Sequence, residues 1–400
     1  MGWINSYLQY TSEQESPTLF HKWCAVSVIA SVVNRQVWLD RRSSRGTVYF
    51  TDYPGQLSIC LVAGAGCCKK STAVTIAKHF MKDAGVNLFD GKIPPERLLR
   101  KLGSMPNGKP VLTIVASEMS SFISKASYND SLIENLIKLL DCESSPYETQ
   151  KFQTQLSEPC LTLLMATTPY SFGKSVPPQA HDTGYLSRHI HIYSDKPGLR
   201  QSLNANEADI DPAILNAVSD ERTDLVLYLK GLQHLSGPFQ WTKAGQKWFN
   251  DYYEAYSNSS MSMGEGYPQR RPSHMLRLAM CLQLSESPDL HLSDWAQIEA
   301  DKWLTEVEGE MSRAFAFIGR HANSDEQDRI LNVFRKKAAA TRLPQPLITG
   351  EELYYETLRF MKDTNELRIQ LRGLMDAGII MHMGNNDKGV PVYVLVKEPY

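Results

Sequence analysis

The sequence lacks a set of zinc ligands. Its seven cysteines (Cys24, Cys60, Cys67, Cys68, Cys142, Cys160 and Cys281) show no pair of CxxC spacings and no histidine pattern beside them. An odd count, with no signal-peptide pattern, predicts reduced thiols in a cytoplasm. Long hydrophobic runs are missing too: none approaches the roughly 18 residues that span a bilayer, so a soluble protein with no membrane partner is expected. Nor does one sign of charge dominate. Lys and Arg number 42 against 44 Asp and Glu, a formal net charge of −2. No global basic surface points to nucleic acid, so DNA contact would come from local patches, as in a ring whose pore alone is basic. There is no internal repeat and no low-complexity tract.

What remains is an ordinary composition, 42% hydrophobic and 22% charged, in a chain long enough for two or three domains. Leu19, Trp23, Val26, Ile29, Ala30 and Val33 recur at helical spacing after Pro17, and residues 1–45 are expected to be an N-terminal helical segment. Residues 46–200 alternate strands and helices. The apolar runs Leu57–Ala63, Val111–Ala116, Cys160–Ala166 and His189–Tyr193 read as strands buried on both faces, hence an α/β core with a doubly wound parallel sheet. Residues 201–322 read as helical, with Trp241, Trp248, Tyr252, Tyr253, Leu276, Leu278, Trp295 and Trp303 as expected core. Leu199–Pro212 and Ser257–Pro268 read as long surface loops.

The strongest chemical signal is Gly64-Ala65-Gly66-Cys67-Cys68-Lys69-Lys70-Ser71-Thr72, after a buried strand and before a helix. Phosphate cradling needs small residues whose successive N–H groups can turn inward, and a helix N-terminus beneath. It also needs a lysine for the outer phosphates and a hydroxyl for magnesium, here Lys70 and Ser71. Lys69 stands where the motif's second glycine is usual; Cys67 and Cys68 read as small loop residues. The alternative is a strand–loop–helix junction with incidental basic residues.

Hydrolysis also needs a carboxylate to orient water. Glu118, just past the run ending at Ala116, suits that role, or else it simply opens a helix. Ser117 occupies the place usual for a metal-side aspartate, so magnesium would rest on Ser71, Ser117 and waters. The third run ends in Thr167-Thr168-Pro169, where Thr167, with Thr168 next, could bond the outer phosphate or the water; a plain turn before proline is the alternative. Arg188, just before the strand His189–Tyr193, could reach a neighbouring subunit's phosphate as an arginine finger, or form a surface salt bridge.

In this order the motifs resemble the AAA+ ATPases, particularly the branch with minichromosome-maintenance helicases and the helicases of viral and plasmid replication. The span Phe20–Gly319 looks like the P-loop family scattered among phages, satellites and integrated elements, often fused to primases. It shares Phe20-His21-Lys22-Trp23, Lys70-Ser71-Thr72, Ser117-Glu118, Thr167-Thr168-Pro169, and Gly184 with Ser187-Arg188. The resemblance implies ATP and Mg2+ as cofactors and a homo-oligomer, a hexamer by expectation, in the host cytoplasm if phage-encoded. It implies Lys70 and Ser71 at the phosphates, Glu118 as catalytic acid and Arg188 acting in trans. A helical lid over residues 201–322 would carry a second arginine sensor: Arg271 first, then Arg270 or Arg277. Between Asp141 and Pro159 it implies a pore hairpin, with Lys151 as its DNA contact.

Residues 323–400 read as a winged helix: a helix near Asp325–Ala340, a capping box Thr349/Glu352, and a similar start at Asp363/Glu366. Two strands, Ile379–Met383 and Val390–Val396, flank the turn Asn385–Gly389. Leu367, Leu371 and Leu374 would face its core, and Arg368, Gln370 and Arg372 would point outward to DNA, with Lys388 on the wing; protein docking is the alternative. The leading expectation is a DNA-dependent ATPase, a ring helicase or replication initiator of a phage or mobile element, with a primase or replication protein as possible partner. The alternative is a non-helicase ATP switch that assembles on DNA and recruits a partner, as transposition regulators do. A scaffold with a decayed nucleotide site is the third.

Overall fold

The computed structural model describes residues 2–91, 93–105, 109–119, 129–149, 152–176, 184–201, 210–256, 266–314, 322–341, 345–358, 363–376 and 378–396. The chain divides into two compact units, Met1–Ile318 and Gly319–Tyr400.

The first unit begins with helices α1 (Trp3–Tyr10) and α2 (Thr18–Val33). Apolar residues lie all round α2, from Phe20 to Val33, and it is buried accordingly. The segment to residue 45 is not helical throughout, contrary to expectation. Val37-Trp38-Leu39-Asp40-Arg41-Arg42 forms strand β1 (Val37–Arg42), with Val37, Leu39 and Arg41 buried in alternation, paired antiparallel with β2 (Val48–Asp52). Period-two burial overrides the helical pattern that ends at Val33.

Alternation of strand and helix then sets in. The order is β3 (Ser58–Val62), α3 (Lys70–Asp83), β4 (Leu88–Asp90), α4 (Pro95–Gly103), β5 (Val111–Ala116) and α5 (Asn129–Leu140). A hairpin of β6 (Ser145–Thr149) and β7 (Phe152–Leu156) precedes β8 (Cys160–Thr167), α6 (Pro169–Ser175) and β9 (Ile190–Tyr193). Five of these strands form one parallel sheet in the order β4-β5-β8-β3-β9.

Both faces of the sheet are covered, and successive residues go to opposite cores. Ile59, Leu61 and Ala63 join one cluster with α2 and α3, whereas Cys60 and Val62 join another with Leu98 and Leu102 of α4 and Leu136 and Leu139 of α5. Near-continuous apolar strands are what a parallel sheet covered on both sides requires.

Four helices follow: α7 (Pro212–Leu232), α8 (Lys243–Tyr256), α9 (Tyr267–Glu286) and α10 (Asp294–Ala314), linked by short strands β10 (Gly237–Pro238), β11 (Gln240–Trp241) and β12 (His291–Leu292). Leu225, Leu229, Leu276, Leu278 and Trp303 share the core of α2 and the sheet, so the N-terminal helices, the sheet and these helices form one unit. Trp3 Nε1 donates to Leu225 O (2.9 Å) and Ile4 N to Ser285 Oγ (2.9 Å), tying α1 to α7 and α9. Tyr253 and Trp295, expected in the core, are half exposed, at 50% and 47%. Helical spacing gives the face only approximately: Tyr253 lies at the edge of the stripe of Gly245 and Phe249, and Trp295 lies off the stripe of Ala296, Ala300 and Leu304. Most of the two expected long loops lies outside the described residues. No described helix is long and apolar enough to cross a membrane.

The second unit contains α11 (Ala322–Thr341), β13 (Leu347–Thr349), α12 (Gly350–Thr357), α13 (Thr364–Asp376), β14 (Ile380–Asn385) and β15 (Pro391–Leu395). Its strands form an antiparallel sheet in the order β13-β15-β14. The Thr349/Glu352 capping box forms in both directions: Glu352 N donates to Thr349 Oγ1 (3.2 Å) and Thr349 N to Glu352 Oε2 (2.9 Å). Ile330, Phe334, Leu353, Leu367, Leu371 and Leu374 build its core. Gln370, expected to point outward, is buried, because it falls three residues after Leu367 and four before Leu374 on the same face of α13.

Three buried histidines in the first unit make its stability depend on pH. Burial lowers His21 to about 4 and His274 to about 3, and pushes His189 well below its ordinary value. The unfolded chain takes up protons near pH 6.5 that the folded chain refuses. Stability is therefore full above pH 6.5 and is lost as pH falls from there through about 4, by about 1.4 kcal/mol per pH unit for each histidine. Urea midpoints of the first unit's transition at pH 7.5 and 5 should differ by several kcal/mol equivalent; equal midpoints would contradict it.

Candidate functional site

The parallel sheet brings three sequence motifs to one edge. Val62 pairs with Thr167 and Ala116 with Met165, so the segments leaving β3, β5 and β8 emerge side by side. In such sheets ligands bind outside the carboxyl ends of the strands, where connections diverge to opposite sides. Here β3 leads by way of α3 to the far edge at β4, while β8 leads past β3 to β9.

The segment after β3 turns sharply. Gly64, Ala65, Gly66 and Cys67 are exposed, Cys68 is buried, and Ser71 and Thr72 face solvent in the first turn of α3. Gly66 has φ +70° and Lys69, the N-cap of α3, has φ +45°. Both are in the left-handed region that favours glycine. Lys69 thus adopts the backbone that the glycine usual at this position supplies without strain. Lys70 Nζ donates to Ala63 O (2.8 Å) and Gly64 O (3.1 Å), folding its side chain along the loop. Burial lowers the Lys70 pKa, while the charge of Glu118, and then the Cys68, Cys67 and Cys60 thiols, oppose the shift. Glu118, half-buried, is thus near enough to act electrostatically on Lys70.

The two loop thiols serve packing. Cys67 Sγ meets Asp195 O (3.3 Å), and Cys68 Sγ meets Ser194 O (3.6 Å) and Lys196 O (3.4 Å), fastening the loop to the segment that leaves β9. Burial raises the Cys68 thiol to about 11, so it is a poor nucleophile at neutral pH.

Thr167 ends β8 directly beside the loop, its carbonyl accepting Ala63 N (3.3 Å). It is fully buried, and its hydroxyl donates to Thr168 O (3.3 Å). The Thr168 hydroxyl accepts Ser171 N (3.0 Å) and caps α6. Ser117 is exposed beside Glu118. Among the described residues no group of three or more His, Cys, Asp or Glu side chains could hold a metal ion. The Ser71 hydroxyl, exposed in the first turn of α3, could serve as one oxygen ligand of a hard divalent cation.

Arg188 lies at the opposite end of the sheet from this loop. In the parallel register Ile59 pairs with Ile190 and Val62 with Tyr193, putting Arg188 at the amino end of β9, roughly 20 Å from the loop. Its guanidinium binds Asp141 through Nη2 and Nε (3.1 Å for Nε), and Nη1 donates to Gly184 O (2.7 Å). Asp141 also holds Arg270 (2.9 Å). Burial would raise the Asp141 pKa, but the two arginines outweigh it and keep the carboxyl below its ordinary value. Both arginines line an open cavity of about 610 Å³ with Arg41, Phe50, Ser187 and Tyr253. Beside it Asp52, fully buried, pairs with Arg41 (3.0 Å) and Arg277 (3.2 Å). Asp141 escapes sequence reading, since 47 residues separate it from Arg188 and no local pattern links them.

Arg271 is not drawn to the phosphate loop. It is buried among helices, paired with Glu308 (2.7 Å) and Asp301 (2.6 Å) and hydrogen-bonded to Tyr252 Oη (2.8 Å) and Thr305 Oγ1 (2.9 Å). Those partners satisfy its charge within α8, α9 and α10. Lys151 lies outside the described residues, although the strands on either side of it pair as a hairpin. In the second unit Arg368, Arg372 and Lys388 are exposed.

No protein-family model matches the sequence, and a search of curated proteins finds no match.

Replacing Glu308 by alanine strands the Arg271 guanidinium, 2% exposed, beside a lost carboxylate. Chemical denaturation should show the first unit destabilised by about 3–5 kcal/mol. A loss below about 1 kcal/mol would mean that Asp301 alone neutralises Arg271.

Proposed function

We propose that the chain is an ATPase of the AAA+ type that works on DNA as a ring, with the second unit as a winged helix. One observation carries this most: the glycine-bearing loop that opens α3 lies at the carboxyl edge of the parallel sheet, flanked by the strand ends that carry Glu118 and Thr167. Gly66 and Lys69 turn the backbone, Lys70 curls along the loop, and Ser71 is exposed at the helix start. Such a loop can surround an anion with N–H donors at a helix N-terminus. ATP with magnesium would supply the bond to be cleaved and the counter-charge on its outer phosphates. Glu118 would accept a proton from, and orient, the attacking water, and Lys70 would hold the outer phosphates. Thr167, buried, would act through the strand end it fixes.

The position of Arg188 supports action between subunits. At the far end of its own sheet from its own loop, it can serve a nucleotide only when a second copy presents one. Asp141 holds Arg188 beside Arg270 at the open cavity, which suits a phosphate arriving from outside the chain. The second unit's α11-β13-α12-α13-β14-β15 order and antiparallel sheet suit a winged helix, with Arg368, Arg372 and Lys388 exposed for DNA.

A second reading, an ATP switch that assembles on DNA and recruits a partner, draws on Ser117. An exposed hydroxyl where a carboxylate is usual leaves magnesium fewer charged ligands and favours slow turnover.

The test is ATP hydrolysis with and without single-stranded DNA. The natural chain should be stimulated by DNA. Lys70→Ala should lose nucleotide binding, Glu118→Gln should keep binding and lose turnover by about 10²–10⁴, and Arg188→Ala should lose turnover by about 10³ or more. Mixing Lys70→Ala with Arg188→Ala chains should restore part of the rate, because one subunit of each kind completes a site. Full activity of Arg188→Ala alone would end the trans assignment, and tight ATP binding without turnover would move the reading to the switch.

A further inference from the structure

Locally the left-handed Lys69 is held by the first turn of α3, where its carbonyl accepts Thr72 N (2.9 Å) and Ala73 N (3.4 Å), with no side-chain cap. A non-glycine residue at φ +45° and ψ 36° persists where surrounding contacts determine it. Contacts from beyond the helix come from the corner between α1 and α2. Ser16, 3% exposed, donates its hydroxyl to Lys69 O (2.9 Å), 53 residues along the chain. The Glu15 carboxylate lies 3.6 Å from Lys69 Nζ, a weak contact because both side chains are partly in solvent. The corner is itself held from behind: Gly198 N donates to Glu15 O (3.1 Å). A Cβ at Gly198 would stand 2.6 Å from Glu15 O and 2.7 Å from Ser16 O, so only glycine lets the two backbones approach.

We propose that Ser16, backed by Gly198, is a positioning device for the phosphate loop: it fixes Lys69 in the left-handed turn that the usual glycine would adopt unaided. This rests on the nucleotide-binding reading of the loop. The hydroxyl is a further donor to the Lys69 carbonyl, added to Thr72 N and Ala73 N of the helix turn, and so tightens the peptide plane between Lys69 and Lys70. That plane carries the Lys70 N–H at the first residue of α3, where an anion would meet it. The corner is also joined to the helical part of the unit through α1, by way of Trp3 and Ile4. The loop's shape thereby depends on a segment that precedes it by half a hundred residues.

The experiment is a double-mutant cycle on the full chain, reading the affinity for Mg·ATP by equilibrium dialysis, with thermal unfolding as the control. Ser16→Ala should weaken binding by about three- to tenfold, the effect of one lost hydrogen bond. Gly198→Ala, which pushes the corner away, should weaken it similarly. In a Lys69→Gly background neither change should matter, because glycine holds the turn without help. A merely structural role for Ser16 would lower the unfolding temperature equally in both backgrounds and would not make the affinity loss vanish with Lys69→Gly. Unchanged affinity in both Ser16→Ala and Gly198→Ala, or the same loss in the natural and the Lys69→Gly backgrounds, overturns the proposal while nucleotide binding stands. A natural chain that binds no Mg·ATP overturns the nucleotide reading, and this one with it.

Discussion

The structure depends on burying a parallel sheet on both faces. Every residue of β3 and of β8 is buried, and alternate side chains serve two separate cores. Neither face can be left to water, so α2, α3 and the later helices must close one side and α4 and α5 the other. That is why the helices on either side of the sheet in sequence belong to one unit with it. It also explains the location of the candidate chemistry. With both faces covered, the chain meets solvent at the strand ends, and the carboxyl end of β3 runs into the exposed loop and the first turn of α3.

Charge is handled in small closed groups rather than as a surface field. Asp52 sits between Arg41 and Arg277, Asp141 between Arg188 and Arg270, and Arg271 between Asp301 and Glu308. In the first two groups one carboxylate serves two guanidinium ions, so positive charge is left over where the open cavity lies. In the third the balance runs the other way, and the arginine is fully occupied. A chain with formal net charge −2 can therefore present a cationic hollow without a basic composition. The same comparison separates Arg188 from Arg271: identical side chains, one at a cavity with charge to spare and one sealed among carboxylates.

How far the sequence speaks for this arrangement follows from the range of each interaction. The runs Val111–Ala116 and Cys160–Ala166 read as strands because burial on both faces leaves a continuous apolar signature, and the loop after Ala63 reads as a turn because Gly64 and Gly66 say so locally. The capping box at Thr349 and Glu352 spans three residues and is equally plain. Gln370 misleads because a polar side chain is expected to face outward, whereas its place in the 367, 371, 374 series is on the buried stripe. Val37–Arg42 is hidden by the helix before it. Arg271 takes a role from its position in a motif, but its partners lie 30 and 37 residues away on another helix, and no spacing rule finds them. Asp141 and Ser16 are invisible for the same reason.

Lys69 shows how a local rule can be broken without loss of the local shape. Glycine is usual at such a turn because a Cβ makes the left-handed region unfavourable by about 1 kcal/mol or more. A chain that puts lysine there must recover that energy from contacts, two of them within the first turn of α3 and one from Ser16, far away in sequence. The consequence is a difference in kind. A glycine turn is shaped by its own backbone and stays poised whatever its neighbours do, whereas this turn also leans on the α1–α2 corner, which is anchored in turn to α7 and α9. On the proposed role of Ser16, a shift of that corner would reach the loop through this hydrogen bond, and a ligand that tightened the loop would favour the corner's present position. Strain at a functional loop is commonly held by its surroundings. Here the surroundings are the first helices of the chain, which gives them a physical reason to be buried against the helices that follow the sheet.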